Sequence, residues 1–108
     1  MQVQLRGAGL QQALNHLIPA LFPDRILLFG SQANGTAHSG SDIDLLIVLD
    51  FEGDPFELLR RARQLVARIF PRIDLVICTL EEFRLGQSER ILFLESILAA
   101  GVTVYERP

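Results

Sequence analysis

Three segments of the chain carry apolar residues at the spacing of an amphipathic helix. The first runs from Gly9 to Ile18, and Pro19 is expected to end it. The second follows Asp54, a favourable capping residue with proline directly after it, and is expected to stop at Pro71. The third runs from Ser88, as its cap, to about Ala99. The helices therefore lie at the start, the middle and near the end of the chain.

Short continuous apolar runs, which are typical of buried strands, fill four of the intervals between and after these helices. They are Arg25–Phe29, Ile43–Leu49, Ile73–Cys78 and Val102–Tyr105. Residues Gly30 to Gly40 are rich in Gly, Ser, Asn and Thr, so they predict a loop with room for one helical turn. The predicted order is α-β-β-α-β-α-β.

The lengths of the connections predict how the strands pair. A helix joins the second and third strands, so these should be parallel with a right-handed crossover. The loop between the first and second strands is too short for a crossover, so these should be antiparallel. We expect an α/β (α+β) fold, a mixed four-stranded sheet with helices mainly on one face, formed by residues 1–108 as a single domain.

Composition narrows the class of protein. Apolar residues make up 49% of the chain, enough to bury a core. The formal net charge is -3, and no basic face is visible, which argues against stable binding of nucleic acid. A single cysteine cannot form an internal disulfide, and neither a signal peptide nor a membrane span is predicted. The expectation is a cytoplasmic protein without membrane attachment.

Two carboxylates at the start of the second strand are the main candidates for chemistry. Asp42 and Asp44 are two residues apart, so strand geometry points both side chains to one face. Two acids aimed at one point repel each other unless a cation lies between them, and Mg²⁺ prefers such oxygen ligands. Asp74 should stand beside Asp44 on the parallel third strand, where it could hold a second metal or act as a general base.

A glycine and serine at the end of the first strand should lie beside these acids. Gly30 allows close approach of the backbone, and free N–H groups with the Ser31 hydroxyl can hold phosphate oxygens. Gly35 and Ser41 belong to the same predicted nucleotide-binding loop, although Ser41 could equally cap its turn. A phosphate-binding turn beside a pair of carboxylates is the arrangement expected for phosphoryl or nucleotidyl transfer.

Gly30-Ser31, ten further residues, Asp42-Ile-Asp44 and a third acid one strand later resemble the DNA-polymerase-β-like nucleotidyltransferase superfamily. The short chain and its ending from Ile97 to Tyr105 resemble the minimal nucleotidyltransferase (MNT) group.

The resemblance implies that Asp42, Asp44 and Asp74 bind two Mg²⁺ ions while a hydroxyl attacks the α-phosphate of a nucleoside triphosphate. Gly30 and Ser31 would hold the departing phosphates. Many members of the group pair with a helical HEPN-type protein as antitoxin and toxin, and some transfer AMP from ATP to a tyrosine of the toxin. The resemblance therefore implies a protein nucleotidyltransferase that works with a partner subunit.

The chain departs from this group in the loop after Gly-Ser, where members often carry arginines. Here the neutral Gln32 and Asn34 stand in those places, which removes charge-assisted contacts to phosphate. Arg72 is a candidate substitute. Three functions stay open: transfer of AMP to a partner protein, an antitoxin that neutralises its partner by binding alone, and a small-molecule nucleotidyltransferase. The third is least expected, because little chain remains to orient a small acceptor once the sheet and helices are built.

Overall fold

The computed structural model describes residues 7–35 and 42–108. The elements are α1 (Gly7–Leu21), β1 (Arg25–Phe29), α2 (Ser31–Asn34), β2 (Ile43–Val48), α3 (Pro55–Val66), β3 (Ile73–Cys78), α4 (Leu80–Leu85), α5 (Leu94–Ala100) and β4 (Val102–Glu106).

The strands form one mixed sheet in the order β3-β2-β1-β4. Strand β1 is antiparallel to β2, and β2 is parallel to β3, which confirms the pairing predicted from the connections. Strand β4 pairs antiparallel with β1, a pairing for which the sequence analysis made no prediction. Strand β3 is therefore one edge of the sheet, and β2 lies between β1 and β3. The loop predicted between β1 and β2 contains one helical turn, α2, and residues 36–41 of it lie outside the described part of the chain.

Alternate residues of β2 belong to different cores. Ile43, Leu45 and Ile47 pack with the long helices α1 and α3 on one face of the sheet. Leu46 and Val48 pack on the opposite face with residues of α4, α5 and the segment just before α5. All five side chains are fully buried, and each such aliphatic side chain contributes about 1.5–3 kcal/mol by leaving water. The prediction of helices mainly on one face holds for the two long helices, while the two short helices cover the other face.

Helix α1 continues beyond the proline that was expected to end it. Pro19 lies inside the last turn, and the helix ends at Leu21. Leu17 and Leu21 are both buried against the sheet, so packing holds the last turn in helical form although Pro19 offers no N–H. Phe22 then takes a left-handed φ of 49° while its amide donates to the Ile18 carbonyl at 3.0 Å.

Helix α3 begins as predicted and ends earlier than predicted. The Asp54 carboxylate accepts a hydrogen bond from the Phe56 amide at 2.9 Å, and Pro55 occupies the first turn. The helix stops at Val66, before Pro71. Phe56, in the first turn of this helix, is 75% exposed.

The sequence analysis missed α4 and began the last helix too early. Thr79 and Glu82 form a capping box: the Thr79 hydroxyl accepts from the Glu82 amide at 3.0 Å, and the Glu82 carboxylate accepts from the Thr79 amide at 2.9 Å. Glu82 also accepts from the Ser88 hydroxyl and forms an ion pair with Arg90 at 2.7 Å. Because these contacts hold Ser88 and Arg90 in the connection, the last helix begins at Leu94. No helix in the described ranges is long and apolar enough to cross a membrane.

Candidate active site

The sheet register places two of the three predicted acids on neighbouring strands. Asp44 pairs with Asp74 across the parallel β2 and β3, and with Phe29 across the antiparallel β1 and β2. Adjacent strands lie about 4.8 Å apart, so the two carboxylates are direct neighbours. Asp42 is exposed and directly precedes β2. Asp44 and Asp74 are therefore neighbours at the start of β2 and β3, as the strand pattern predicts, and Asp42 lies two residues before Asp44 along the chain.

The pKa of Asp44 reflects its burial and the charges of its neighbours. Its pKa lies above the ordinary value because of burial first, and then because of the negative charges of Asp74 and Asp42. The positive charge of Arg72 opposes this rise in the pKa. Arg72 forms an ion pair with Asp74 at 2.8 Å, with 75% of the Arg72 side chain exposed. The site thus concentrates more negative charge than its arginine neutralises.

Gly30 is the point where the acids meet the loop. It has φ 74° and ψ −155°, a region that is open essentially to glycine alone. A Cβ added at this position would lie 2.3 Å from Oδ2 of Asp44. The Asp44 carboxylate therefore rests directly against the Gly30 backbone, and no other residue leaves room for it.

Helix α2 continues from this glycine as a single turn. The amides of Ala33 and Asn34 donate to the Gly30 carbonyl at 3.1 and 3.2 Å. Ser31 is half-buried at the first position of the turn, and the amide of Gly35 closes it on the Ser31 carbonyl with φ 81° at the glycine. These bonds hold the Gly30–Ser31 turn beside Asp44.

The other residues predicted for nucleotide binding are placed differently. Gly35 is exposed at the end of α2, and its φ of 81° explains why glycine stands there without requiring a ligand. Gln32 and Asn34 both lie on α2. Ser41 lies outside the described residues. The structure therefore brings Gly30 and Ser31 to the acids, while the roles of Gly35 and Ser41 stay predictions.

The donor set suits Mg²⁺, although the carboxylates do not converge on one point. Within residues 7–35 and 42–108, no three His, Cys, Asp or Glu side chains form a group that could hold a metal ion. Repulsion among the three carboxylates and the pairing of Asp74 with Arg72 account for this separation. The pKa of Asp44 is raised by burial first and then by the charges of Asp74 and Asp42. These three carboxylates are the hard oxygen ligands that a divalent cation prefers.

An open cavity of about 470 Å³ adjoins Asp74 at the β3 edge. It lies between the end of α3 and the segment that leads into β3. Its lining includes Arg63, Phe70, Arg72 and Asp74. The sequence analysis missed Arg63 and Phe70, because helical spacing alone placed Arg63 on a solvated face and carried no sign of what approaches it.

A second cavity, of about 230 Å³, lies further along the same edge. It is lined by apolar side chains that include the exposed Phe56 and Phe93, together with Arg90. Ile91 also lines it and is buried.

The sequence model of the nucleotidyltransferase domain family matches residues 10–100, which include every described residue of this site. The chain belongs to the nucleotidyltransferase domain family. No curated protein sequence matches it significantly. The family match agrees with the geometry, in which a Gly-Ser turn lies against paired aspartates.

Solved structures show the same fold. A crystal structure of a protein from Sulfolobus solfataricus, assigned as a nucleotidyltransferase, is similar with a TM-score of 0.58 and 21% identity, over 92% of this chain and 78% of that one. A toxin–antitoxin structure with AMP-PNP has a TM-score of 0.47 and 21% identity, over 92% and 72% of the two chains. A mutant of the toxin–antitoxin MntA-HpeT has a TM-score of 0.45 and 19% identity, over 91% and 71%. The first of these establishes that the chain has the nucleotidyltransferase fold.

Proposed function

We propose that this nucleotidyltransferase domain transfers a nucleotide, AMP from ATP, to a hydroxyl of a partner protein in a reaction that depends on Mg²⁺. The observation that carries the proposal is the contact between Gly30 and Asp44, with Asp74 beside Asp44 on the next strand. It joins a turn suited to phosphate to carboxylates suited to a cation.

Asp42, Asp44 and Asp74 are the residues that would hold Mg²⁺. The metal would neutralise phosphate charge and favour attack on the α-phosphorus. Gly30 and Ser31 would bind the β- and γ-phosphates through backbone N–H groups and the Ser31 hydroxyl. This division of roles follows the strand order, with phosphates beside β1 and the acids on β2 and β3.

The transfer forms one bond and breaks one. The acceptor oxygen bonds to the α-phosphorus, and the bond from that phosphorus to the bridging oxygen breaks, so pyrophosphate leaves with the electron pair. Asp74, on the outermost strand of the site, would accept the proton of the attacking hydroxyl and pass it to solvent. Its ion pair with Arg72 at 2.8 Å would orient the carboxylate for that task.

The test measures label transfer from α-labelled ATP with Mg²⁺ to the product of the adjacent gene, which we expect to be a helical HEPN-type protein. We expect label on the partner, and its loss with Asp44→Asn. Glu52→Gln is the matched control, because it removes one exposed carboxylate at the opposite end of β2. Transfer by Asp44→Asn at the rate of the unmodified chain would overturn the mechanism.

A second function is favoured by one observation. Helix α2, directly after Gly30, carries the neutral Gln32 and Asn34. An antitoxin that neutralises its partner by contact alone needs no phosphate-binding cations there. In that case no label would be transferred, and Asp44→Asn would still form the complex and neutralise the partner.

A further inference from the structure

Arg72 lies directly before the edge strand β3, next to the acids of the candidate site. The Ile43 amide donates to the Arg72 carbonyl at 2.8 Å, so the pairing of β2 with β3 extends back to Arg72. Because strand side chains alternate between faces, Arg72 projects to the same face as Asp74 and as Asp44, which is opposite Asp74. The ion pair of 2.8 Å between Nη2 of Arg72 and Oδ1 of Asp74 agrees with this placement.

The guanidinium occupies the place where a second cation would contact Asp74. A metal ion at Oδ1 of Asp74 would have to displace Arg72, which lies 2.8 Å from this oxygen. Asp44 is in a different position, because burial and the charges of Asp74 and Asp42 act on its pKa more strongly than Arg72 does. A divalent ion is therefore drawn first to Asp44, whereas Asp74 already has a counter-ion.

The charges of the nucleotide-free site balance with one divalent ion. The three ionised acids carry three negative charges and Arg72 returns one positive charge, which leaves a net charge of -2. One Mg²⁺ neutralises this charge. A second Mg²⁺ would add uncompensated positive charge within a few ångströms of the first ion and of the guanidinium, and that repulsion is strong near a protein surface.

Much of the Arg72 side chain is available to a substrate. It is 75% exposed, and the ion pair with Asp74 uses only part of its hydrogen-bonding capacity. Guanidinium groups bind phosphate oxygens through paired N–H groups. Helix α2, which follows the Gly30 turn, carries the neutral Gln32 and Asn34. Arg72 can therefore supply a charge-assisted contact to phosphate from the other side of the acids.

We propose that Arg72 takes the place of a second metal ion: the site binds one Mg²⁺, held mainly by Asp44, while Arg72 holds Asp74 and contacts a phosphate of the nucleotide. This inference rests on the proposed function, and it replaces the two Mg²⁺ ions that the family resemblance implies with one ion and one arginine. The single ion can still be reached through Oδ2 of Asp74. Arg72 is then a positioning residue for the carboxylate that accepts the proton.

The test counts bound ions and nucleotides by equilibrium dialysis of the full chain, with Mn²⁺ and an ATP analogue that cannot be cleaved between the α- and β-phosphates. We expect one Mn²⁺ and one nucleotide per chain. Arg72→Gln should bind two Mn²⁺ per chain, because Asp74 loses its counter-ion. Arg72→Lys should keep one Mn²⁺ but bind the analogue roughly threefold or more weakly, since an ammonium does not form paired N–H contacts.

Arg61→Gln is the matched control, because it removes the same charge from an exposed position of α3. It should change neither the count nor the affinity. Melting temperatures should show that all variants fold, as the replaced side chains are exposed.

Four results would overturn the inference. These are two Mn²⁺ on the unmodified chain, one Mn²⁺ on Arg72→Gln, a second Mn²⁺ on Arg61→Gln as well, and an unchanged affinity of Arg72→Lys for the analogue. None of these counts depends on transfer. Failure of the proposed function is seen separately, as label transfer that survives Asp44→Asn.

Discussion

Replacing Gly30 by alanine tests the contact on which the candidate site depends. The new Cβ would lie 2.3 Å from Oδ2 of Asp44, whereas ordinary contacts begin near 3.4 Å. The carboxylate would have to move by about 1 Å, and a misplacement of that size costs on the order of a hundredfold in rate. We therefore expect Gly30→Ala to reduce transfer of labelled AMP by about a hundredfold.

The same substitution should also lower stability, through the backbone. Alanine is forced into φ 74° and ψ −155°, which costs about 1–3 kcal/mol. In a domain of this size each kcal/mol corresponds to about 4–8 °C, so the melting temperature should fall by at least about 4 °C. Differential scanning fluorimetry without metal measures this loss of stability separately from the effect on catalysis.

Gly86→Ala is the matched control. Gly86 has the same φ of 74°, at the end of α4, and the nearest side-chain atom to a new Cβ is 4.0 Å away. This variant should lose about 1 kcal/mol of stability and keep its transfer rate. In a double-mutant cycle, Gly30→Ala should add little to the effect of Asp44→Asn on transfer, because both act on one carboxylate. Equal transfer rates for Gly30→Ala and Gly86→Ala would refute the reasoning.

Three further predictions concern titrating groups. Asp44→Asn should raise the free energy of unfolding at pH 7 without metal, because burial and the charges of Asp74 and Asp42 raise the pKa of Asp44, so that its charged form opposes folding. Urea titrations should show this gain disappear as the pH falls towards the ordinary value of 3.8, and an unchanged gain would contradict this origin. Glu82→Gln should lower the free energy of unfolding at pH 7. Burial alone would raise the pKa of Glu82, yet hydrogen bonds from Ser88 and Thr79 and the charge of Arg90 outweigh burial and lower the pKa. The charged form therefore stabilises the fold above the ordinary pKa, and the loss of stability in the variant should vanish below the lowered pKa. Burial raises the pKa of Cys78 to about 12, so a thiol reagent at pH 8 should label it only after unfolding in urea, and rapid labelling of the native chain would be the contrary result.

The sequence analysis succeeded where short-range pattern and connection length are sufficient. The helix between β2 and β3 requires them to be parallel, and because each strand begins one residue before its aspartate, Asp44 is expected beside Asp74, as the register shows. The short connection after Phe29 requires an antiparallel return, which brings Gly30 to Asp44. Each inference uses only the alternation of strand side chains and the reach of the backbone.

Helix boundaries were less accurate because side-chain contacts outside the local pattern decided them. Pro19 stays helical since Leu17 and Leu21 pack on the sheet. The start of α5 is delayed because Glu82 holds Ser88 and Arg90 in the preceding connection. The capping box from Thr79 to Glu82 was present in the sequence as a signal, although its helix is only six residues long and has no fully buried face.

The sequence by itself thus determined the pairing of β1, β2 and β3 and the contact between Gly30 and Asp44, because both follow from periodicity and from the length of each connection. Only the tertiary structure decided where cavities open along the β3 edge of the sheet. The cavity beside Asp74 exists because the end of α3 and the segment around Phe70 meet at the β3 edge, and packing of α3 against the sheet sets that meeting. Contact between segments that are far apart in the sequence depends on the packing of the whole core, and no local pattern of residues encodes it.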